Sequence, residues 1–387
     1  MTKPTASPLI EVSGSPIERG RQYGEQARER VKRGIDHYVE QLARKSIGWE
    51  QVARIAEEFE PTIAGFDPAY VEEMKGIAEG ASVDPATIVL LNARTEILKL
   101  AERRGDGMSA DKDEPDGCTS VAVLPRATRD GDLIHAQNWD WKAECAETTV
   151  VLRVRRDDGP DFLTFTEAGA LARCGMNAAG VSIAANYLES DRDYRNLAVP
   201  LPFIRRKVLE KARVGEAMHT VYTTAKSCAN NMMVAHANGV VIDFECAPDE
   251  TFQVLPKDGL LCHANHFVSP VALSKLRDRG IRNMPDSLYR DLRVRELLVP
   301  HLGAVTRDHV IESLRDDFET PWSVCRPPRP SMVNNLTATV AMVVMEPAKG
   351  RMSVAMLPAL YPEFTTYELD MEIAAPDTDR APATFVN

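Results

Sequence analysis

The sequence predicts an α+β protein in which layers of helix and sheet pack on one another. Three observations carry that expectation. Apolar residues in the first hundred positions recur at helical spacing, and from residue 118 the texture turns to short runs rich in β-branched and aromatic residues. The later elements come in blocks of strands, then helices, then strands, not in βαβ alternation. No GxGxxG follows a strand and no GxxxxGK[ST] occurs, so a nucleotide-binding wound sheet has no support.

Taken in order, residues 16–46 read as one helix with Pro16 in its first turn and Ile35, Tyr38, Val39, Leu42 and Ala43 along one face. Pro68 to Glu79 and Pro85 to Ala101 carry the same period. Residues 103–117, RRGDGMSADKDEPDG, are polar, hold no apolar run, and predict an exposed connector. CTSVAVLP, LIHAQNWDW, TTVVLRVRR and DFLTFTEAG then read as successive antiparallel strands, with RDGD and DDGP among the turns. GVSIAANY adds a strand, and NMMVAHANGVVIDFECA a hairpin closed at Ala237, Asn238 and Gly239. Residues 201–226 predict a helix with Val208, Leu209, Ala212, Ala217 and Val221 on its apolar face. Further helices are expected at 285–299 and 306–316. A last hairpin, TATVAMVVMEP and RMSVAMLP, turns at Lys349 and Gly350. Met232, Met233, Met342 and Met345 lie in predicted central strands and are expected in the core.

Composition narrows the function. The 387 residues are 44% hydrophobic and 27% charged, which is ordinary for a globular chain with a large core. Lys plus Arg number 46 against 57 for Asp plus Glu, a formal charge of -11, and no block is strongly basic, which argues against tracking of nucleic-acid phosphates. The opening MTKPTASPLIEV lacks an apolar signal region and no run approaches ~18 apolar residues. The expectation is a cytoplasmic protein that neither crosses nor binds a membrane. Seven scattered cysteines, an odd number, do not make a disulfide scaffold.

The junction Asp116-Gly117-Cys118-Thr119-Ser120 is where chemistry is expected. If the bond between Gly117 and Cys118 were cut, Cys118 would carry a thiol and an α-amine on one residue. The amine, with a reference pKa of about 7.7–8.0, could take the thiol proton near neutral pH. Gly117 suits the cut because it lacks a Cβ and leaves its carbonyl open to attack. Read alone, Cys118 favours the blander reading of a small buried hydrophobe, since free cysteines are commonly buried and inert.

The wider chain resembles the acyl-coenzyme A:6-aminopenicillanic-acid acyltransferase family of N-terminal-nucleophile (Ntn) hydrolases. The matching motifs run in family order: GSPIERGRQYGEQ at 14–26, DGCTS at 116–120, QNWDW at 137–141, TEAG at 166–169, GMNAAGVSIAANY at 175–187, HANH at 263–266 and SVCR at 323–326. The resemblance implies a four-layer αββα sandwich preceded by a mainly helical N-terminal segment. It also implies a precursor that cuts itself before Cys118, giving a helical leader of residues 1–117 and a catalytic part of residues 118–387 that stay associated.

Residue by residue, the resemblance makes Cys118 the nucleophile and Gly117 the other side of the cut. Asp140 becomes the site carboxylate, orienting the new amine, and Asn265 the donor to the developing oxyanion. Asn186 resembles an oxyanion or amine-positioning residue, and Arg326 the site arginine that could support Asp140 or a substrate carboxylate. Outside the resemblance, Asp140 reads as a turn former and Asn265 as a loop cap, and Arg326 reads as a solvated loop residue. His263 and His266 lack the helical spacing and the acidic third ligand of a metal site, so no metal and no cofactor are expected. The activity expected is hydrolysis of a small N-acyl or β-amino-acyl amide through a Cys118 thioester. A coenzyme A-dependent acyltransferase and a non-catalytic binding relative are the alternatives. The partner expected is a small amide or acyl thioester, and a homodimer is compatible with an exposed leader.

Overall fold

The computed structural model describes residues 4–103, 117–330 and 336–373. The chain starts with a strand, β1 (Leu9–Val12), and five helices: α1 (Pro16–Gln26), α2 (Arg28–Arg44), α3 (Trp49–Phe66), α4 (Pro68–Ala81) and α5 (Pro85–Arg103). Strands β2 (Gly117–Val123), β3 (Ile134–Lys142), β4 (Thr149–Val154), β5 (Phe162–Glu167), β6 (Cys174–Asn177) and β7 (Val181–Tyr187) follow. Helices α6 (Leu201–Leu209) and α7 (Val214–Thr223) lead to β8 (Asn230–His236), β9 (Val240–Cys246), β10 (Thr251–Val254) and β11 (Leu260–His263). Helices α8 (Pro270–Lys275), α9 (Ser287–Leu298) and α10 (Arg307–Leu314) precede β12 (Arg329–Pro330), β13 (Leu336–Glu346), β14 (Arg351–Met356) and β15 (Thr365–Glu368).

The strands form two sheets, one ordered β1-β4-β5-β6-β7-β8-β9-β10 and the other β11-β2-β3-β13-β14-β15, with β12 pairing β13. Apart from the parallel β1–β4 pair, the named pairings are antiparallel. The buried clusters show how the layers stack. Trp139 and Val343 from one sheet meet Val151, Phe165 and Met176 from the other, and Ala122 and Leu261 meet Met233 and Ala235. The opposite face of the first sheet packs on α1–α7, with Leu152, Ile183 and Val234 against Tyr23, Val31 and Phe203. The opposite face of the second packs on α9 and α10 through Val294, Leu298, Val310 and Leu314. This is the expected αββα sandwich, with the helical segment ahead of it. Because each sheet is covered on both faces, β2 is buried along its whole length, Gly117 to Val123.

The leader is not a separate body. Its helices and the first sheet share one apolar cluster, and β1 adds directly to that sheet's edge. Helix α1 meets α4 at backbone distance. A Cβ on Gly20 would stand 2.1 Å from the Glu73 carbonyl oxygen, and one on Gly24 2.3 Å from that of Ile77. Only glycine permits that approach.

Several local expectations change. The helix expected over 16–46 is two helices, broken at Ala27 (φ -105, ψ 11) where α1 leaves its crossing with α4. The helix expected over 201–226 also divides, at 210–213. Helix α3 and strand β1 have no counterpart in the sequence expectations. Of the connector, Gly117 belongs to β2, and residues 104–116, Asp116 included, lie outside the described residues. Met232, Met233, Met342 and Met345 are all buried, as expected.

Candidate active site

The β2–β3 ladder sets the site. Its register puts Gly117 opposite Asp140 and Cys118 opposite Trp139. Successive residues of a strand face opposite ways. The Cys118 side chain therefore enters the layer between the sheets beside Trp139, while the Gly117 α-carbon faces the other side with Asp140. A Cβ on Gly117 would lie 2.9 Å from Asp140 Oδ2 and 3.1 Å from an Arg326 terminal nitrogen. The glycine is what lets the two charged groups close over the backbone.

A β-bulge shapes that side. The β3–β13 register slips between Thr339, opposite Asp140, and Ala341, opposite Trp139. Bulges re-aim side chains. Here Thr339 Oγ1 donates to Asp140 Oδ1 at 2.7 Å and accepts the Arg326 N–H at 2.8 Å. Asp140 Oδ2 lies 3.5 Å from Arg326 Nε and accepts no hydrogen bond among the described residues. Arg326 also pairs with Asp286, which in turn holds Arg290 Nε at 2.8 Å. Burial alone would push the Asp286 carboxyl up, but the Arg290 and Arg326 guanidiniums hold it below the usual carboxylate value.

Asn265 lies against the backbone of Cys118. Its Oδ1 accepts the Cys118 N–H at 2.8 Å and an Arg290 N–H at 2.7 Å, while its Nδ2 donates to the Tyr187 carbonyl at 2.9 Å. Two donors on one side and an acceptor on the other fix the amide's orientation. As placed, Asn265 turns its acceptor toward the Cys118 N–H and its Nδ2 toward the Tyr187 carbonyl. Arg290, fully buried, also donates to the Cys118 carbonyl at 2.7 Å and to Thr119 Oγ1 at 2.8 Å. Burial and the neighbouring Arg326 push its guanidinium below its usual value, opposed by Asp286 and Asp140.

Asn186 is a clamp between strands. Its Oδ1 accepts from Ser120 Oγ at 2.6 Å and Gln137 Nε2 at 3.0 Å, and both its N–H groups go to the His263 and Ala264 carbonyls at 2.9 Å. With every N–H spent, it presents no donor to a substrate and instead ties β2 and β3 to the segment that carries Asn265. The same segment is held from its other side by Glu245. That carboxylate receives His263 Nε2 at 2.9 Å, the Val268 N–H at 2.5 Å and the Ser269 N–H at 3.1 Å. His263 Nδ1 faces the Ala264 carbonyl at 3.0 Å, so both ring nitrogens face acceptors, as an imidazolium requires. Burial lowers its pKa, and Asp243 and Glu245 outweigh that to raise it to about 9.

Two arginines at the site were not singled out from sequence. Arg290 carried a usable signal, because with Val294 and Leu298 it occupies the buried stripe of α9, where a charge is unexpected. Arg173 carried none. It precedes β6, and its terminal nitrogen donates to Cys118 Sγ at 3.6 Å while its guanidinium lies 4.1 Å above the Trp139 ring. Burial pushes the Cys174, Cys262 and Cys325 thiols up to about 12.

Known proteins are similar to this chain. An acyl-coenzyme A:6-aminopenicillanic-acid-acyltransferase 40 kDa form from Emericella nidulans is 27% identical over 320 residues, covering 82% of this chain and 84% of the relative. Among solved structures, a mutant conjugated bile acid hydrolase from Clostridium perfringens is similar at 12% identity and a TM-score of 0.48, covering 65% of this chain and 92% of that one. A penicillin V acylase from Agrobacterium tumefaciens is similar at 15% identity and a TM-score of 0.41, covering 65% and 87%. The family model described as acyl-coenzyme A:6-aminopenicillanic acid acyl-transferase matches residues 126–357, a span that begins beyond Cys118 and contains Asp140, Asn186, Asn265 and Arg326, and the chain belongs to that family.

Proposed function

We propose that this chain is a self-cleaving amidase, in which Cys118 cuts its own bond to Gly117 and then transfers acyl groups from a small amide to water. One observation carries the reading: Cys118 is held at both reactive ends, its N–H on Asn265 Oδ1 and its sulfur under the Arg173 guanidinium. A guanidinium at a sulfur favours the thiolate, which is the nucleophile.

In the first reaction Sγ attacks the Gly117 carbonyl, the C–N bond breaks toward the Cys118 nitrogen, and a Gly117 thioester forms. Water hydrolyses it, leaving a Gly117 carboxylate, a free thiol and the Cys118 α-amine. In each later turnover that amine takes the thiol proton, and the thiolate attacks the substrate carbonyl. The amine's proton passes to the departing amine, and a thioester acyl-enzyme remains. Water, deprotonated by the same amine, releases the acid. Asn265 Oδ1 keeps the amine's lone pair aimed by accepting one of its N–H groups. Arg173, 3.6 Å from Sγ, is assigned as a donor to the developing oxyanion, and Arg326 and Asp140 grip the Gly117 side of the cut. The two chains stay together through their common core and the buried pair Glu73–Arg206, two hydrogen bonds of 2.9 Å.

The relative's name favours a second reading, in which an amine replaces water as acceptor. One experiment addresses both. The purified protein is mixed with a panel of small N-acyl amides, quenched in acid and weighed, with and without added amines. An acyl adduct on Cys118, absent from Cys118→Ala, is expected; partition of the product to water or amine then separates hydrolase from transferase. An uncut chain without any adduct contradicts both readings and leaves a binding relative.

A further inference from the structure

The Gly117 α-carbon is walled on one side. Buried in β2, it faces Asp140 across the β2–β3 ladder. A Cβ in the L position would stand 2.9 Å from Asp140 Oδ2, 3.1 Å from Asp140 Cβ and 3.1 Å from Arg326 Nη1. Carbon atoms in ordinary contact sit at about 3.5–4.0 Å, so all three are too close. None of them yields easily. Asp140 Cβ is fixed to the backbone of β3, which is paired with β2 on one side and β13 on the other. Turning the carboxylate would break the 2.7 Å hydrogen bond from Thr339 Oγ1 to Asp140 Oδ1. Arg326 is held by its ion pair with Asp286 and by its own N–H on Thr339 Oγ1 at 2.8 Å. Both side chains are buried, and neither has solvent to swing into.

In self-cleavage the acyl group that passes to Sγ is Gly117 itself, and in later turnovers it is the substrate's. Resting on Cys118 as the nucleophile, we propose that the substrate's acyl α-carbon takes the place of the Gly117 α-carbon, where Asp140 and Arg326 exclude an L-configured branch. Straight-chain and glycyl acyl groups then enter, and L-α-aminoacyl groups with a side chain do not. Asp140 and Arg326 thereby gain a specificity role, and the bond in the precursor and the bond in the substrate obey one steric rule.

The test offers the freshly purified wild-type protein the thiophenyl esters of N-acetylglycine and N-acetyl-L-alanine. The Cys118 thiolate attacks the thioester carbonyl, thiophenolate leaves, and peptide mass spectrometry reads the acyl group on Cys118. Each rate is divided by that of the same ester with N-acetylcysteine, which removes the ordinary slowing by an α-methyl group. The normalised glycyl rate should exceed the alanyl rate at least about tenfold. A ratio near one overturns the proposal. Asp140→Ala and Arg326→Ala each take away one side of the wall. Both should react more slowly with either ester, but in each variant that folds the ratio should drop below about threefold. A ratio left unchanged overturns the role given to the pair. If neither variant folds, kcat/KM of the wild type on N-acetylglycyl- against N-acetyl-L-alanyl-4-nitroanilide gives the second reading. The glycyl compound is expected to lead again, and equal values overturn the proposal. If neither ester acylates wild-type Cys118 faster than N-acetylcysteine, the nucleophile reading fails and the selectivity falls with it. Fast acylation at equal rates removes the selectivity alone.

Discussion

The side-chain oxygen of Asn265 accepts the backbone N–H of Cys118 at 2.8 Å, so the nitrogen that cleavage would free is already gripped while it is still a peptide nitrogen. Asn265→Leu keeps the approximate shape but leaves the Cys118 and Arg290 donors buried without this acceptor, each at about 1–3 kcal/mol. Processing, followed on denaturing gels, should slow at least about tenfold. Asn265→Asp keeps an acceptor and should retain more activity than Asn265→Leu. Wild-type processing in Asn265→Leu would contradict the assigned role.

Gly117→Ala tests the other side of the bond. Its methyl would meet Asp140 Oδ2 at 2.9 Å and Arg326 at 3.1 Å, forcing apart the groups that close over the cut. Overpacking of this kind costs about 1–3 kcal/mol. The expected outcome is accumulation of uncut precursor with a lowered melting temperature. Unimpaired cleavage would show that this closure is not needed.

Arg290 should separate charge from geometry. Arg290→Leu leaves Asp286 with one of its two guanidinium partners and should destabilise the fold by roughly 3–5 kcal/mol, measurable by urea unfolding. Arg290→Lys keeps the charge but loses the fork that spans Cys118, Thr119 and Asn265. It should fold, process slowly, and turn over amide with a lower kcat at nearly unchanged KM.

Arg206→Met addresses the association of the two parts. It leaves Glu73, an N-terminal carboxylate that is 1% exposed, with Arg19 at 3.3 Å but without the two shorter Arg206 hydrogen bonds, at a cost of about 1–3 kcal/mol. After processing, residues 1–117 should separate from residues 118–387 at lower urea than in the wild type, as read by size exclusion. Co-elution at the wild-type midpoint would exclude the pair as a clasp.

His263 gives the stability a pH dependence. Its folded pKa, about 9, exceeds the unfolded reference near 6.5. The folded state therefore holds the proton more tightly, and the contribution is complete below the unfolded value and is lost as pH rises through about 9. Over that window the wild type should lose up to roughly 3 kcal/mol relative to His263→Gln, measured by denaturant unfolding at several pH values. Parallel profiles for the two proteins would contradict a charged His263.

Much of this was legible in the sequence because the deciding signals are local. The hairpin turn at Asn238 and Gly239, the change of texture at Cys118 and the apolar period of α9 each lie within a few residues. The break at Ala27 was not, since it depends on α1 meeting α4 through Gly20 and Gly24, a contact set by distant chain. The same holds at the site. Cys118 and Asp140 lie on neighbouring strands and could be paired by a hairpin argument. That Asn265 turns its oxygen to Cys118 depends on Arg290 and on the Tyr187 carbonyl, brought in from α9 and β7. Arg173 reaches the sulfur across the space between two sheets, where no sequence spacing points.

Intact mass and N-terminal sequencing of the freshly purified protein, beside Cys118→Ala and the control Cys262→Ala, test the central claim most directly. Two fragments are expected from the wild type and from Cys262→Ala, one of them beginning with Cys118, and a single whole chain from Cys118→Ala. A wild-type chain that stays whole yet hydrolyses amides, or a Cys118→Ala chain that still splits after Gly117, would contradict it.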